Sequence, residues 1–218
     1  DYETLKLPTD FSRPQSIDYQ GNDVYFELDK GTSDLLRSLA KELQVSLYSV
    51  LLGGYCLLLH SYSNQDDLVI GTPIANRHYP QVEHLIGFFV NTIALRVKIN
   101  SKAKIKQFIK SVWQEISDNQ AHQDLPFEKL VDELKVPKDT SRHPIFQIMF
   151  GVQSFGNSNK HKLLQPYCPE ESLYNVAKFD ISTFIDDSQD ILRGSFNYST
   201  SLYKQETVEK FVNTYLTI

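Results

Sequence analysis

One segment near the middle of the first half constrains the fold more than any other. After Ser46 the chain carries Val50, Leu51, Leu58 and Leu59 in a helical stretch that is apolar nearly all round. A helix of this kind must be covered on every side, so we expect it to be buried. Gly53 and Gly54 are expected to let neighbouring elements approach it closely.

Strands and helices alternate on both sides of that helix. Alternating apolar residues predict strands around Val24 to Leu28, Asp67 to Ala75, Leu85 to Lys98 and Ile145 to Gln153, and a hairpin from Phe179 to Tyr198. Helical spacing predicts helices that start near Thr32, Lys102, Pro126 and Gln205. The chain therefore reads as an α/β fold, a mixed sheet flanked by helices.

The composition of the chain limits the kinds of molecule that it is expected to bind. The 22 basic and 27 acidic residues give a net charge of -5, and the basic residues are dispersed, so we expect no nucleic-acid partner. The longest apolar run, Val50 to Leu59, is too short for the roughly 20 residues that a membrane span needs. Cys56 and Cys168 show neither metal spacing nor a disulfide framework, and we expect reduced thiols in a cytoplasmic protein.

Known catalytic patterns do not occur in the sequence. It has no phosphate-binding glycine loop, no nucleophile elbow, no Cys-x-x-Cys pair and no His-Glu-x-x-His helix. We therefore predict no catalytic residue, no metal site and no directly bound cofactor in this chain.

The segment from Leu85 to Val97 is apolar on both faces, which predicts a central strand covered on both sides. Asn91 would then be buried and would need a hydrogen-bonding partner. A structural hydrogen bond to a neighbouring loop is the favoured interpretation, and a polar group facing a substrate channel is the alternative. Gly87 indicates a bulge or a close backbone approach, with the bulge favoured.

Two further segments are candidates for function. In His122 to Glu128, Asp124 is expected to cap a short helix, and His122 is expected to have no catalytic role. In Ile145 to Gln153, Phe146 and Ile148 are placed on a core face and Gln147 and Met149 on a semi-polar face. That second face either is solvated or packs against a missing partner and lines a cavity, and in an isolated half we expect it to be exposed and prone to self-association. Arg142 either is solvated or pairs with an acidic neighbour across an interface.

Several motifs in a fixed order carry a family resemblance. They are Leu7-Pro8-Thr9-Asp10, Gly71-Thr72-Pro73-Ile74-Ala75-Asn76-Arg77, Ile86-Gly87-Phe88-Phe89-Val90-Asn91-Thr92, His122-Gln123-Asp124-Leu125-Pro126-Phe127-Glu128, Ser141-Arg142-His143-Pro144-Ile145-Phe146-Gln147 and Lys178-Phe179-Asp180. Together they resemble the second half of a condensation domain from nonribosomal peptide synthetases. The family's His-His-x-x-x-Asp-Gly motif has no match among the six histidines of this chain.

The resemblance implies one chloramphenicol-acetyltransferase-like lobe, which in complete members pairs with a second lobe around a tunnel. Residues 1–20 would be a connector from a missing amino-terminal lobe, and residues 21–218 the carboxy-terminal lobe. Donor and acceptor peptidyl carrier domains would bring thioesters on phosphopantetheine arms, beside an adjacent adenylation domain. Asn91 would lie near the tunnel centre, with Gly87, Arg142 and Gln147 as further substrate-binding candidates, and residues 135–153 would help to form the crossing between lobes.

The leading hypothesis is the carboxy-terminal lobe of an amide-forming condensation domain, inactive alone because its histidine motif is missing. A non-catalytic lobe that recruits a carrier or another protein is the second hypothesis. Half of an epimerisation domain, or of another acyltransferase of the superfamily, is the third.

Overall fold

Six strands form one mixed sheet in the computed structural model, which describes residues 2–77, 79–153 and 175–218. The strands are β1 (Gly21–Glu27), β2 (Asp67–Ile74), β3 (Asn91–Lys98), β4 (Ile148–Gln153), β5 (Ile181–Asp186) and β6 (Arg193–Ser199). Their order across the sheet is β1-β6-β5-β4-β2-β3. β4 is parallel to both β2 and β5, and the other pairs are antiparallel. The α/β fold with a mixed sheet is confirmed.

Five α-helices accompany the sheet within the described residues. They are α1 (Lys30–Leu43), α2 (Leu47–Ser63), α3 (Ile105–Gln120), α4 (Phe127–Glu133) and α5 (Gln205–Thr217). A short 3₁₀ turn spans Pro80–Val82. The helices predicted from apolar spacing are confirmed, with ends that differ by a few residues.

Helix α2 is buried, as its composition predicts. Tyr55 on α2 packs against Phe150 of β4, with ring centroids 4.9 Å apart, and against Phe196 of β6 at 5.8 Å. Tyr215 of α5 lies 5.9 Å from the same Tyr55 ring on the helical side. Cys56 is fully buried here as a free thiol, whereas Cys168 lies outside the described residues.

The opposite face of the sheet is covered in part by α4. Val69 and Met149 point to this side and pack with Leu130 and Val131 of α4. Their strand neighbours Ile70 and Ile148 belong to the core under α2. Because side chains alternate along a strand, both faces of β2 and β4 are buried.

This arrangement corrects the prediction for the face that carries Gln147 and Met149. Both residues are buried rather than exposed, because α4 and the segment that follows it cover this side of the sheet. Phe146 lies before β4 begins and joins the same cluster, so its predicted position beside Ile148 was wrong. We therefore no longer expect the chain to self-associate through this face.

The predicted central strand from Leu85 to Val97 was also wrong in part. β3 begins only at Asn91 and stands at the edge of the sheet, paired with β2 alone. Residues 85–90 are an irregular segment in which Gly87 occupies an exposed bend rather than a bulge. Helix α1 begins at Lys30, two residues before the predicted start near Thr32, and is capped by Asp29. Pro126 holds the N-cap position of α4 in place of Asp124.

An extended segment, residues 2–20, lies against the sheet and helices, and we call it the strap. Asp10 accepts hydrogen bonds from the Lys204 amide at 2.8 Å and from Thr207 Oγ1 at 2.9 Å, which caps α5. Arg13 forms a bidentate ion pair with Asp180, with Nη1 2.9 Å from Oδ1. The strap is thus tied to elements almost 200 residues away, while its role as a connector between lobes stays a prediction.

Candidate functional site

Asn91 joins two of the sequence motifs. Its side-chain amide donates hydrogen bonds to the carbonyl oxygens of Gln123 and Leu125, each at 3.0 Å. Asn91 opens β3, and the two carbonyls belong to the turn that leads into α4. The favoured interpretation, a structural hydrogen bond to a neighbouring loop, is therefore observed, and a substrate-binding role stays a prediction.

Arg77 organises the segment before β3. Its guanidinium donates hydrogen bonds to the carbonyls of Val82 at 2.6 Å, Leu85 at 2.7 Å and Gly87 at 3.2 Å. The same group lies 4.3 Å from the centre of the Phe89 ring, a cation–π distance. One side chain therefore fixes an irregular loop that has no strand partner of its own.

The loop presents apolar side chains to solvent. Ile86 is fully exposed and Phe88 is 91% exposed, and Leu85 and Val90 are also exposed. We call these four residues the crest. Large apolar side chains grouped on a fixed base are typical of a surface that contacts another molecule.

A second set of motif residues forms an aromatic cluster on the α4 side of the sheet. Phe146 packs on Phe127 of α4 at 5.3 Å and stacks on Phe179 at 5.4 Å. A Cβ atom added to Gly71 would come within 2.1 Å of the Phe146 ring, so the ring rests directly on the β2 backbone. His143 completes the cluster, 4.6 Å from Phe179.

Arg142 forms an ion pair with Asp139, an acidic residue of its own segment. Its Nε lies 2.9 Å from Asp139 Oδ2, an ion-pair distance. Asp139 also accepts hydrogen bonds from Ser141, and together with the nearby positive charge these hold the pKa of its carboxyl below the usual value. The acidic partner of Arg142 therefore lies three residues away in the segment that precedes β4, and not across an interface as predicted.

Gln147 lines a cavity of about 480 Å³ beside that segment. Its Nε2 donates to the His143 carbonyl at 3.0 Å, but its buried Oε1 has no partner among the described residues. His143 also lines the cavity, and its buried Nε2 likewise has no partner in the described part of the chain. Burial lowers the pKa of His143, opposed by a hydrogen bond with the Lys178 backbone.

The structure does not bring the four predicted substrate-binding residues together. Asn91 pairs with Ile74 at the carboxyl end of β2, with Gly87 in the loop beside it. Gln147 precedes β4, and the pairing of Met149 with Gly71 places Gln147 level with Val69. Val69 and Ile74 are five residue steps apart along β2, which is roughly 17 Å at the usual rise per residue. Asn91 and Gly87 lie in one region of the structure, and Arg142 and Gln147 lie in another.

Sequence reasoning missed Arg77 and Gly71. Both stand in the Gly71-to-Arg77 motif, whose side-chain roles cannot be read from apolar periodicity. The role of Arg77 could have been inferred from its position ahead of the apolar loop at residues 85–90, which contains no Lys or Arg. In the described part of the chain no cluster of three or more His, Cys, Asp or Glu residues could hold a metal ion.

Membrane-spanning potential is confined to one bent pair. Over the described residues, no single helix has the length and apolar content to cross a bilayer, whereas α1 and α2 meet the criterion jointly, with a bend of 107° between them.

Comparison with solved structures gives the class of protein. The chain superposes on a four-domain nonribosomal peptide synthetase, holo-AB3403, with a TM-score of 0.88 and 26% identity, over 99% of this chain and 17% of that one. It also matches the X-domain from teicoplanin biosynthesis, with a TM-score of 0.85 and 22% identity, over 100% of this chain and 51% of that one. Fold and motif arrangement define a chloramphenicol-acetyltransferase-like lobe of the kind found in condensation domains.

The family follows from the sequence comparisons. The family model for the condensation domain matches residues 1–218, and the chain belongs to this family. It is 42% identical over 214 residues to N-(5-amino-5-carboxypentanoyl)-L-cysteinyl-D-valine synthase from Amycolatopsis lactamdurans, covering 98% of this chain and 6% of that protein. It is 37% identical over 219 residues to gramicidin S synthase 2 from Brevibacillus brevis, covering 100% of this chain and 5% of the relative. The chain thus spans a small part of these relatives.

Proposed function

We propose that this chain is one lobe of an amide-forming condensation unit in a nonribosomal peptide synthetase. The unit would join aminoacyl or peptidyl thioesters delivered on phosphopantetheine by a donor and an acceptor carrier domain. This lobe would supply a wall of the reaction channel and a docking surface for a carrier. Support comes from the family membership and from relatives whose names describe peptide synthases.

The observation that carries the proposal is the crest with its fixed base. Arg77 holds the loop by its carbonyls, and Asn91 holds the next residues against the turn at Gln123. Such rigidity leaves little conformational entropy to be lost when a partner covers Ile86 and Phe88. We therefore assign this end of the sheet to the interface with a second lobe and to the channel wall beside it.

The chemistry requires a histidine of the family's motif, and this sequence does not contain that motif. The acceptor amine attacks the donor thioester carbonyl, the new C–N bond forms, the C–S bond breaks, and the departing sulfur takes up a proton. A histidine that positions or deprotonates the amine would come from the second lobe, because no histidine here is followed by the family's motif residues. Asn91 would act by holding the channel wall in place.

The test is reconstitution. Amide formation between an aminoacyl-loaded donor carrier and an acceptor carrier is measured with this chain alone, with a second lobe alone and with both. Product only with both lobes is the expected result. Product from this chain alone would contradict the assignment of the base to the second lobe.

A non-catalytic recruiting lobe is the alternative. One observation favours it, since the X-domain of similar fold is known in complex with OxyB. If the two lobes associate but yield no amide, recruitment becomes the better explanation. An epimerisation half shares the fold at a TM-score of 0.69 and 16% identity, and an epimerised product in place of an amide would select it.

A further inference from the structure

A groove on the helical side of the sheet leaves part of α2 uncovered. It has a volume of about 360 Å³ and lies where α1, α3 and the last turn of α5 meet on α2. Gly54 and Leu57 of α2 line it and are half-buried, although α2 is apolar nearly all round. A helix of that composition is expected to be covered on every side, and the described residues leave this part of it open.

The lining of the groove is apolar apart from three hydroxyl groups, and each of these already donates a hydrogen bond within the chain. Thr32 donates to Asp29 at 2.6 Å. Thr217 donates to a carbonyl of its own helix at 2.7 Å, and Tyr215 donates to a carbonyl of α2 at 3.0 Å. Because these donors are committed, the part of an occupant that enters the groove is expected to be apolar.

The apolar surface continues beyond the groove onto its rims. Ile105 at the start of α3 is 52% exposed, and Leu216 in the last turn of α5 is 38% exposed. A small molecule would be enclosed by the cavity and would leave these rims in water. A helix that lays its apolar face along the groove would cover the rims as well, which favours a protein helix as the occupant.

The start of α3 gives one rim a positive charge. Basic residues are dispersed along most of the chain, but the stretch from Lys98 to Lys110 holds five lysines and no acidic residue. Lys106 is paired with a glutamate of α1, whereas Lys102 and Lys104 are exposed and form no ion pair among the described residues. Charge complementarity therefore favours an occupant that carries carboxylates beside its apolar face.

We propose that this groove binds an amphipathic helix of a partner protein, with Asp and Glu residues flanking its apolar face. Apolar side chains of that helix would cover Gly54 and Leu57, and its carboxylates would face Lys102 and Lys104. We call the site the acidic-helix groove. The proposal does not rest on the condensation activity of the chain, and the groove involves neither the crest nor the cavity at Gln147.

Two labelled peptides test the groove by fluorescence anisotropy. Each has about 15 residues with leucine along one helical face, and the flanking positions are glutamate in one peptide and lysine in the other. At low salt the acidic peptide is expected to bind with a dissociation constant on the order of 0.1 mM, and the basic peptide at least about tenfold more weakly. Equal affinities, or no binding of the acidic peptide at about 1 mM protein, would overturn the proposal.

Variants locate the site. Lys102→Glu combined with Lys104→Glu is expected to weaken the acidic peptide at least about tenfold and to strengthen the basic one, a reversal that unfolding could not produce. Lys129→Glu combined with Lys138→Glu, at exposed positions on the α4 side of the sheet, is the matched control and is expected to leave the preference unchanged. Ile105→Asp is expected to weaken both peptides. An unchanged preference in the first variant, or wild-type affinities in Ile105→Asp, would exclude this groove.

Other occupants of the groove would give different results. A second copy of the chain would appear in sedimentation velocity as a dimer that Ile105→Asp abolishes. A longer protein that continues past Ile218 and fails to bind the acidic peptide would show that its own continuation fills the groove. Either result would overturn the assignment to a partner helix.

Discussion

At the scale of single residues, Gly71 shows how closely the motif residues pack. Its missing side chain is the space in which the Phe146 ring lies, and Phe146 in turn contacts Phe127 and Phe179. Gly71→Ala is expected to displace the ring and to lower the free energy of unfolding by about 2 kcal/mol, the usual cost of overpacking a core. Urea denaturation followed by circular dichroism measures the change.

Gly53 provides the matched control. It lies in the interior of α2, where an added Cβ would make ordinary contacts of 3.4 Å with Ile109 and 3.9 Å with Phe108. Gly53→Ala is expected to raise the free energy of unfolding by about 0.5 kcal/mol, because alanine loses less backbone entropy in a helix. Equal effects of the two substitutions would contradict the packing assigned to Gly71.

His143 gives the fold a dependence on pH. Its pKa is lowered in the folded protein by burial and by the charge of Lys178, while the Lys178 backbone hydrogen bond and the charge of Asp180 act in the opposite direction. As the pH falls through about 6.5, the unfolded chain takes up a proton at this residue before the folded chain does. Stability from this group is therefore complete above that pH and is lost below it.

Replacing His143 tests the direction of this dependence of stability on pH. His143→Gln is expected to reduce the loss of unfolding free energy between about pH 7.5 and about pH 5.5 relative to the wild type. Urea titrations at the two pH values give the difference for each protein. An unchanged or larger loss in the variant would show that the folded pKa of His143 is not lowered.

At the scale of elements, the strap supplies a helix cap from a distant part of the chain. Lys204 occupies the N-cap position of α5 but forms no side-chain cap, and Asp10 accepts the hydrogen bonds instead. Asp10→Ala is expected to lower the free energy of unfolding by about 1 kcal/mol, the typical value for loss of a cap. It is also expected to speed proteolytic cleavage within residues 2–20.

Asp18 is the control for the strap. Its hydrogen bond is local, to the amide of Gln20 at 3.0 Å, so Asp18→Ala is expected to change stability less than Asp10→Ala does. Similar losses from both substitutions would mean that the charge of the strap, rather than the cap on α5, stabilises the protein.

Elements that bury one regular face were predictable, and those whose surroundings depend on distant residues were not. The apolar face of α5, with Val208, Phe211, Val212 and Tyr215, is buried as its spacing indicates. The segment from Leu85 to Val90 is apolar on both faces, as a buried central strand is, yet its conformation is fixed by Arg77 instead of by strand partners. Periodicity reports where apolar side chains lie along a segment, and it carries no information about what covers them.

At the scale of the whole molecule, the candidate site could be predicted only as a set of motifs. The hydrogen bonds of Asn91 to residues 32 and 34 positions away, and the separation of Asn91 from Gln147, follow from strand register and sheet order. Neither register nor order is encoded in a local pattern. This is why the four predicted substrate-binding residues divide between two ends of the sheet.

The crest permits a test of the proposed contact with a second lobe. Ile86 and Phe88 make little contact with the rest of the chain, so replacing both with Asp is expected to leave its melting temperature unchanged within about 2 °C. Two carboxylates at a desolvated interface would remain unpaired, and the affinity for the second lobe is expected to fall at least about a hundredfold. Leu35→Asp, at a 71% exposed position on α1, is the control and is expected to retain both properties. Isothermal titration of the second lobe into each variant measures the affinity, and wild-type affinity in the Ile86→Asp, Phe88→Asp protein would remove the crest from the interface.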